Sequence, residues 1–148
     1  MLDKMSDIVW SLNVENDSFE QLMGKLRSYA LTMTNAKNIA FQFYIDPGIQ
    51  GRRLDIKLRK NIYMITKEAI NNAIKYADCS AIGVILSSKP KGAELTITDN
   101  GKGFNKDMVN KGNGLSNMQK RAKEMRGSFE IDTARGEGTR IRVRFNFT

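Results

Sequence analysis

The order of the hydrophobic periodicities along this chain limits the folds that it can adopt. Some stretches repeat apolar residues at helical spacing, and others alternate apolar with polar residues as half-buried strands do. In chain order they predict a helix, a strand, a helix, two strands, a polar loop, a helix and two strands. This order favours an α+β fold, a two-layer α/β sandwich with helices on one face of a mixed, largely antiparallel sheet.

The first half of the chain is predicted to hold two amphipathic helices separated by a strand. A helix with a typical start signal extends from Asp17 to about Thr34. Strict alternation from Ile39 to Ile45 predicts a strand, which the turn at Asp46-Pro47-Gly48 ends. The longest helix is predicted from Asp55 to Ala77. Its apolar face consists of Leu58, Ile62, Ile65, Ala69, Ala73 and Ala77.

The second half is predicted to hold two hairpins. Strands from Ser80 to Ser87 and from Ala93 to Thr98 are joined by a turn with good hairpin chemistry, and their pairing is expected to be antiparallel. The polar stretch from Asn100 to Asn113 is a candidate lid, and a helix that Gly127 ends follows it. The last hairpin pairs the strand at Phe129 with the strand from Ile141 to Phe147, and its arginine face is expected to be solvated.

Composition places the chain among globular proteins: 41% of its residues are hydrophobic and 27% are charged. Its apolar runs are too short to cross a bilayer, and no signal peptide is visible. A single cysteine, Cys79, cannot form an internal disulfide, which fits a reducing cytoplasm. The net charge of +8 suggests nucleic acid, acidic lipid or a phosphate-rich ligand as partner, and charge alone does not choose among them.

The long helix carries a polar stripe. Glu68, Asn72 and Lys75 recur at i, i+4 and i+7, so all three are expected to border the apolar face. A carboxylate and an amide oxygen suit Mg²⁺, and a lysine suits the charge of a polyphosphate. The alternative is an exposed stripe with a salt bridge between Glu68 and Lys75, and for this cluster alone that alternative is favoured.

A second cluster, Asp99 to Phe104, begins where a predicted buried strand ends. The carboxylate can accept a hydrogen bond from an exocyclic amine, while Gly101 and Gly103 let the backbone approach a flat ring. Adenine fits this arrangement better than guanine, whose O6 atom is an acceptor. An ordinary turn after a strand explains the same residues equally well.

Two further glycine clusters have simple structural explanations when each is considered alone. Gly112-Asn113-Gly114 opens a helix, where free amides favour an anion and glycines permit a hinge. Gly136 to Thr139 is favoured as a hairpin turn, although the hydroxyl of Thr139 could reach a base. The order of all four clusters along the chain is much more specific than any single one.

Taken together, the clusters resemble the N, G1, G2 and G3 boxes of the GHKL ATPase superfamily. The matching residues are Glu68-x-x-x-Asn72-x-x-Lys75-Tyr76, then DNGKGF, then GNGL with Met118 and Arg121, then GEGT. The catalytic and ATP-binding domain of bacterial two-component sensor histidine kinases is the best likeness, and it implies a Bergerat-type fold. The resemblance covers Asp55 to Phe147. Residues 1–17 are expected to be the tail of a dimerisation helix and linker, and residues 18–148 the catalytic domain.

The resemblance implies a role for each matching residue. Catalytic roles fall to Glu68 and Asn72, which would also hold Mg²⁺, although a base role for Glu68 is doubtful in transfer to imidazole. Asp99 would bind the adenine amine, and Gly112 and Gly114 would form the lid hinge. The implied ATP-binding residues are Asn72, Lys75, Tyr76, Asp99, Gly101, Gly103, Phe104, Gly112, Gly114, Leu115 and Thr139.

The implied function is to position MgATP for phosphoryl transfer to a histidine on a separate dimerisation domain. The chain contains no histidine, so we expect a fragment that is monomeric and inactive in autophosphorylation by itself. The parent would be a homodimer that passes phosphate to a response regulator. The fragment is expected to be cytoplasmic, and anchoring of the parent in the inner membrane is left open.

Two alternatives remain at this point. An anti-sigma-type serine kinase, or another GHKL ATPase with Glu68 as base, would share the fold and ATP while differing in reaction. A basic module that binds DNA or RNA through Arg140, Arg142 and Arg144 ranks lower, because strand alternation already explains these arginines. No nucleic-acid partner is therefore expected.

Overall fold

The computed structural model describes residues 19–49, 52–104 and 114–147. In chain order its main elements are α1 (Phe19–Asn35), β1 (Ala40–Ile45), α2 (Ile56–Asn72), β2 (Ala81–Lys89), β3 (Gly92–Asp99), α3 (Gly114–Glu124), β4 (Ser128–Thr133) and β5 (Thr139–Asn146). The apolar spacing from Met1 to Leu12 also predicts a helix. This segment, the proposed domain boundary at residue 17, and most of the predicted lid, with Gly112, lie outside the described residues. No described helix combines the length and apolarity that crossing a bilayer requires.

Within the described ranges the strands form one sheet in the order β1-β2-β3-β5-β4. β1 pairs with β2 in parallel, and every other pairing is antiparallel, which confirms the predicted mixed, largely antiparallel sheet. The first hairpin pairs Lys89 with Gly92, so its turn is the two residues Pro90 and Lys91. The helix α2 lies in the connection between the parallel strands, as a crossover requires.

The core lies between the helices and one face of the sheet. Alternate residues of the central strands are buried, among them Val84, Leu95 and Val143, while their neighbours in sequence are more exposed. The predicted apolar face of α2 is buried in full. In α1, Leu22, Met23, Leu26 and Ala30 are buried at helical spacing, and Thr34 is buried with them.

The helix α2 is more deeply buried than its apolar pattern indicated. Arg59, Asn61 and Thr66 are also inside, each no more than 1% exposed. The guanidinium of Arg59 donates to the carbonyl of Leu54 at 2.9 Å. The guanidinium of Arg121, on α3, donates to Oδ1 of Asn61 at 3.3 Å. Both α1 and α3 pack against α2, and polar contacts accompany the apolar packing.

The end of the long helix differs from the prediction. Asp55, where the helix was predicted to begin, is its N-cap, and the carboxylate of Asp55 accepts a hydrogen bond from the amide of Leu58 at 2.8 Å. The α-helix stops at Asn72, however, and Ala73–Ala77 forms a π-helix that Asp78 terminates in a left-handed conformation. A single α-helix to Ala77 was thus wrong, because the last turn is wider than an α-turn.

The helix-free face of the sheet carries arginines that the solvent reaches, as expected, since Arg140 and Arg144 are exposed. Ion pairs add to this picture, because Nη2 of Arg142 lies 3.0 Å from Oε2 of Glu130 and 3.1 Å from Oδ2 of Asp132. The Nε atom of Arg144 donates a hydrogen bond to Oε2 of Glu94 at 2.5 Å, and this hydrogen bond lowers the pKa of Glu94. Cross-strand ion pairs thus balance much of the positive charge on this face.

Helix α3 ends one residue earlier than the pattern suggested. Arg126, not Gly127, adopts the left-handed conformation, with φ of 57°. Its amide donates to the Lys123 carbonyl at 2.9 Å, and the Gly127 amide donates to the Ala122 carbonyl at 2.8 Å. This is the hydrogen-bond pattern of a Schellman motif. Gly127 is needed for space, since a Cβ there would lie 2.4 Å from the Arg144 carbonyl oxygen.

Candidate nucleotide-binding site

Two of the sequence clusters meet at one end of the sheet. Asp99 is the last residue of β3 and Thr139 is the first residue of β5, and the two are direct partners in the ladder. The loop that follows Asp99 runs beside the end of the long helix, where the Lys102 amide donates to the Ala77 carbonyl at 2.7 Å. On its other side, the Gly136 amide donates to the Lys102 carbonyl at 2.5 Å. The loop is therefore held between helix and hairpin.

The glycines of this loop are required by its packing against main chain. A Cβ on Gly101 would lie 2.2 Å from the carbonyl oxygen of Ala77. Gly103 has φ of +62°, and a Cβ there would lie 2.1 Å from the carbonyl oxygen of Ala134. Both missing side chains would thus point at protein backbone. The predicted approach of these glycines to a flat ring stays a prediction.

The carboxylate of Asp99 is half-buried and oriented by the backbone. Its Oδ1 atom accepts a hydrogen bond from the Gly101 amide at 2.8 Å. The Thr139 amide also donates a hydrogen bond to the carboxylate. Burial raises the pKa of Asp99 above its ordinary value, and these two donors oppose that rise only in part. Two N–H donors leave further lone pairs on the carboxylate. It can therefore accept a hydrogen bond from the amine of a ligand.

A threonine that the sequence reading missed completes this end of the site. The hydroxyl oxygens of Thr133 and Thr139 are 2.9 Å apart. The Phe104 amide donates to Oγ1 of Thr133 at 3.1 Å, and Thr133 donates to the Gly138 carbonyl at 3.2 Å. The signal was available, because Thr133 and Thr139 flank the hairpin turn and are ladder partners. Only the turn itself was read as functional.

The first and third clusters meet at the start of α3. A Cβ on Gly114 would lie 2.7 Å from Oε1 of Glu68 and 3.0 Å from Nδ2 of Asn72, so both side chains reach the same space. Among the described residues, no group of three or more histidine, cysteine, aspartate or glutamate side chains could hold a metal. One carboxylate and one amide nevertheless fit Mg²⁺, which commonly takes few protein ligands and completes its shell with water and phosphate oxygens.

Other predicted site residues lie at the margins of this arrangement. Lys75 falls in the π-helix, where the α-helical i+7 spacing that placed it beside Glu68 and Asn72 does not apply. Tyr76 is 67% exposed. Leu115 is partly buried against the core, and Phe104 is half-buried. Whether they contact ATP stays a prediction.

A cavity of about 440 Å³ opens at the same end of the sheet. Its lining includes the predicted residues Asp99 and Thr139, and also Thr98, Asp132 and Arg140 from the helix-free face. Glu68, Asn72 and Gly114 are not part of it. The cavity therefore adjoins Asp99 and Thr139, and it leaves out the proposed metal end.

A known sensor kinase has a similar sequence. The chain is 34% identical over 101 residues to the sensor histidine kinase LiaS of Bacillus subtilis. The match covers 68% of this chain, and the chain spans only 28% of the length of that relative.

Solved structures confirm the fold, and the comparison with protein families establishes the family. The histidine kinase domain of the Erythrobacter litoralis EL346 blue-light activated kinase matches with a TM-score of 0.74 and 15% identity, over 99% of this chain and 76% of that one. The Acinetobacter baumannii histidine kinase AdeS matches with a TM-score of 0.73 and 15% identity, over 99% and 77%. Residues 57–148 match the family described as histidine kinase-, DNA gyrase B-, and HSP90-like ATPases. Since this match covers more than half of the chain, the protein belongs to that family of ATPases.

Proposed function

We propose that this chain binds ATP with Mg²⁺ and acts as the catalytic and ATP-binding domain of a sensor histidine kinase. The observation that carries the proposal is the convergence of separated clusters at one end of the fold. Asp99 and Thr139 are ladder partners there, and Glu68 and Asn72 share the space beside Gly114. One contact joins β3 to β5 and the other joins α2 to α3, so chance spacing along one helix does not explain them.

The two ends of the site would have different tasks. The Asp99 carboxylate, held by the Gly101 amide, would accept a hydrogen bond from the amino group of adenine. Asn72 and Glu68 would hold Mg²⁺, and Lys75 would approach the phosphates. The bound ion would neutralise charge on the phosphate oxygens. The contribution of this chain is then position and electrostatics, without a covalent intermediate.

The phosphoryl acceptor must come from outside the chain. The sequence contains no histidine, so a histidine kinase of this type would need the histidine of a dimerisation domain. We therefore propose as partners the dimerisation domain of a longer homodimeric parent and a downstream response regulator. Alone, the chain would bind nucleotide as a monomer and would not autophosphorylate.

Thermal unfolding tests nucleotide binding directly. ATP or ADP with Mg²⁺ should raise the melting temperature of the chain, because a ligand that binds only the folded state stabilises it. Asp99→Asn should abolish most of that rise. Asp78→Asn is the matched control: it removes the same charge nearby, and asparagine tolerates its left-handed backbone, with φ of 52°. A wild-type protein that neither nucleotide stabilises would contradict the proposal.

A second experiment separates the histidine kinase from the ATPase alternative. Radiolabelled ATP is mixed with the chain and a histidine-bearing dimerisation fragment. Phosphate on that fragment supports the kinase. Sustained hydrolysis without the fragment, lost in Glu68→Gln, would instead indicate an ATPase in which Glu68 is the general base.

A further inference from the structure

Thr133 is the centre of three hydrogen bonds beside the proposed base site. Its hydroxyl contacts the Phe104 amide at 3.1 Å, the Gly138 carbonyl at 3.2 Å and the Thr139 hydroxyl at 2.9 Å. These groups come from the loop after β3, the hairpin turn and the first residue of β5. One side chain of β4 therefore links the two clusters that meet at this end of the sheet.

The direction of these hydrogen bonds follows from the chemistry of the partners. An amide N–H can only donate and a carbonyl oxygen can only accept, whereas a hydroxyl has one hydrogen and two lone pairs. Thr133 must accept from Phe104, and it donates its one hydrogen to Gly138. Its remaining lone pair faces Thr139, so the hydroxyl of Thr139 is the donor of that third bond.

The alternative direction makes fewer bonds. If Thr133 donated to Thr139, the same hydrogen would not be available for the Gly138 carbonyl, and two of the three bonds would remain. The hydroxyl hydrogen of Thr139 would then be free to point at a ligand. Because a buried polar group without a partner costs free energy, the arrangement with three bonds is favoured.

We infer that Thr133 is a positioning residue that makes Thr139 a pure hydrogen-bond acceptor toward the base. With its hydrogen held by Thr133, Thr139 presents only lone pairs, and it does so beside the Asp99 carboxylate, its ladder partner. Two acceptors side by side suit the amino group of a 6-aminopurine and repel the oxygen of a 6-oxopurine. The inference rests on the proposed function, since it assigns base selectivity within the same site.

The test compares ATP with inosine triphosphate, which carries the same phosphates and sugar but an oxygen at position 6. The dissociation constants of both, with Mg²⁺, are measured by calorimetry for the wild-type chain and three variants. Thr133→Val removes the hydroxyl and keeps the shape. Thr133→Ser keeps the hydroxyl, and Thr96→Val makes the same chemical change in the middle of β3, away from the site.

In the valine variant at position 133, the hydroxyl of Thr139 regains a hydrogen that it can donate to the 6-oxo group. The preference for ATP, measured as the ratio of the two dissociation constants, should then fall about tenfold, the effect of one hydrogen bond. Thr133→Ser and Thr96→Val should keep the wild-type ratio. A folded Thr133→Val protein with an unchanged ratio would overturn the inference while leaving the proposed function intact.

If Thr133→Val does not fold, the Thr139→Val variant tests the inference instead. Removal of the acceptor hydroxyl should weaken the binding of ATP, and the binding of inosine triphosphate should be unchanged or tighter. Weaker binding of inosine triphosphate would show that Thr139 donates to the base, which contradicts the inference. If the wild-type chain binds neither nucleotide, the proposed function itself fails, and the inference fails with it.

Discussion

The carboxylate of Asp99 illustrates how a binding residue can be unfavourable for the folded protein that carries it. Burial raises its pKa, and the donors from Gly101 and Thr139 compensate only in part. An ionised group in this position costs stability until a ligand supplies another donor. The sequence predicted this residue from its place at the end of a strand, but its partial burial depends on the packing of the loop and the hairpin.

The cost of ionising Asp99 predicts a pH dependence of stability. Between the ordinary pKa of an aspartate and the raised folded value, the folded state binds more protons than the unfolded state, so stability falls as pH rises through that window. Asp99→Asn lacks this loss. Without nucleotide, the variant should therefore be more stable than the wild type at neutral pH, and the difference should shrink on acidification.

Urea unfolding at several pH values measures that difference, and titrations common to both proteins cancel in it. In the Asp99→Asn variant, the side-chain amide still has an oxygen that can accept the hydrogen bond from the Gly101 amide. A difference between the proteins that grows as pH falls would contradict the raised pKa of Asp99.

Gly101 supplies another prediction for a single residue. Gly101→Ala should destabilise the protein by about 1–3 kcal/mol, the range of overpacking substitutions, because the new methyl group would meet the backbone of Ala77. Chemical unfolding with and without ADP measures the effect. A stability equal to that of the wild type would show that the loop can move away from the helix, which its hydrogen bond from Lys102 to Ala77 opposes.

Among the elements, helices were predicted well as segments and less well in their internal geometry. The periodicity located α1 and α2 because burial of one face sets the spacing of apolar residues. It gave no sign of the π-helix at Ala73–Ala77, because one wider turn changes the hydrogen bonding without leaving a repeat in the sequence. The i+7 spacing that assigned Lys75 to the stripe of Glu68 and Asn72 does not apply at that turn, and their shared position stays a prediction.

The helix α1 contains a glycine with no apparent packing role. Gly24 is exposed in the middle of the helix, and a Cβ there would have no neighbour within 4 Å. Gly24→Ala should therefore stabilise the protein by about 0.5–1 kcal/mol, because alanine restricts the unfolded chain and favours the helix. Urea unfolding of the variant measures the gain. A loss of stability would indicate that Gly24 has a contact beyond the described residues.

For the whole molecule, the sequence predicted the layers and the order of elements, and it predicted which clusters belong together. The local hydrophobic patterns predict the layers and the order of elements, and the resemblance to the four boxes predicts which clusters belong together. The sequence did not reveal the ion pair between Arg144 and Glu94, because that pair depends on β3 lying beside β5. Strand order is a property of the whole sheet, and no single segment encodes it.

The order of the strands predicts where the sheet resists opening. β3 has strand neighbours on both sides, and Leu95 in its centre is fully buried, whereas β1 and β4 are the outer strands of the described sheet. Amides of β3 should exchange with deuterium at rates near the global unfolding limit, and those of β4 should exchange faster. Residue-resolved exchange measured by NMR tests this. Equal protection of both strands would mean that the sheet opens only as one unit.

The Pro90-Lys91 turn lies at the opposite end of β3 from Asp99, about 25 Å away over eight residues. A fluorophore or a surface tether attached there, for example through Pro90→Cys, would leave the nucleotide end of the fold unobstructed. The native thiol is a poor competitor in such a reaction, since burial and the nearby Asp99 carboxylate raise the pKa of Cys79. The hairpin thus offers a natural place to immobilise the domain for single-molecule or biosensor work.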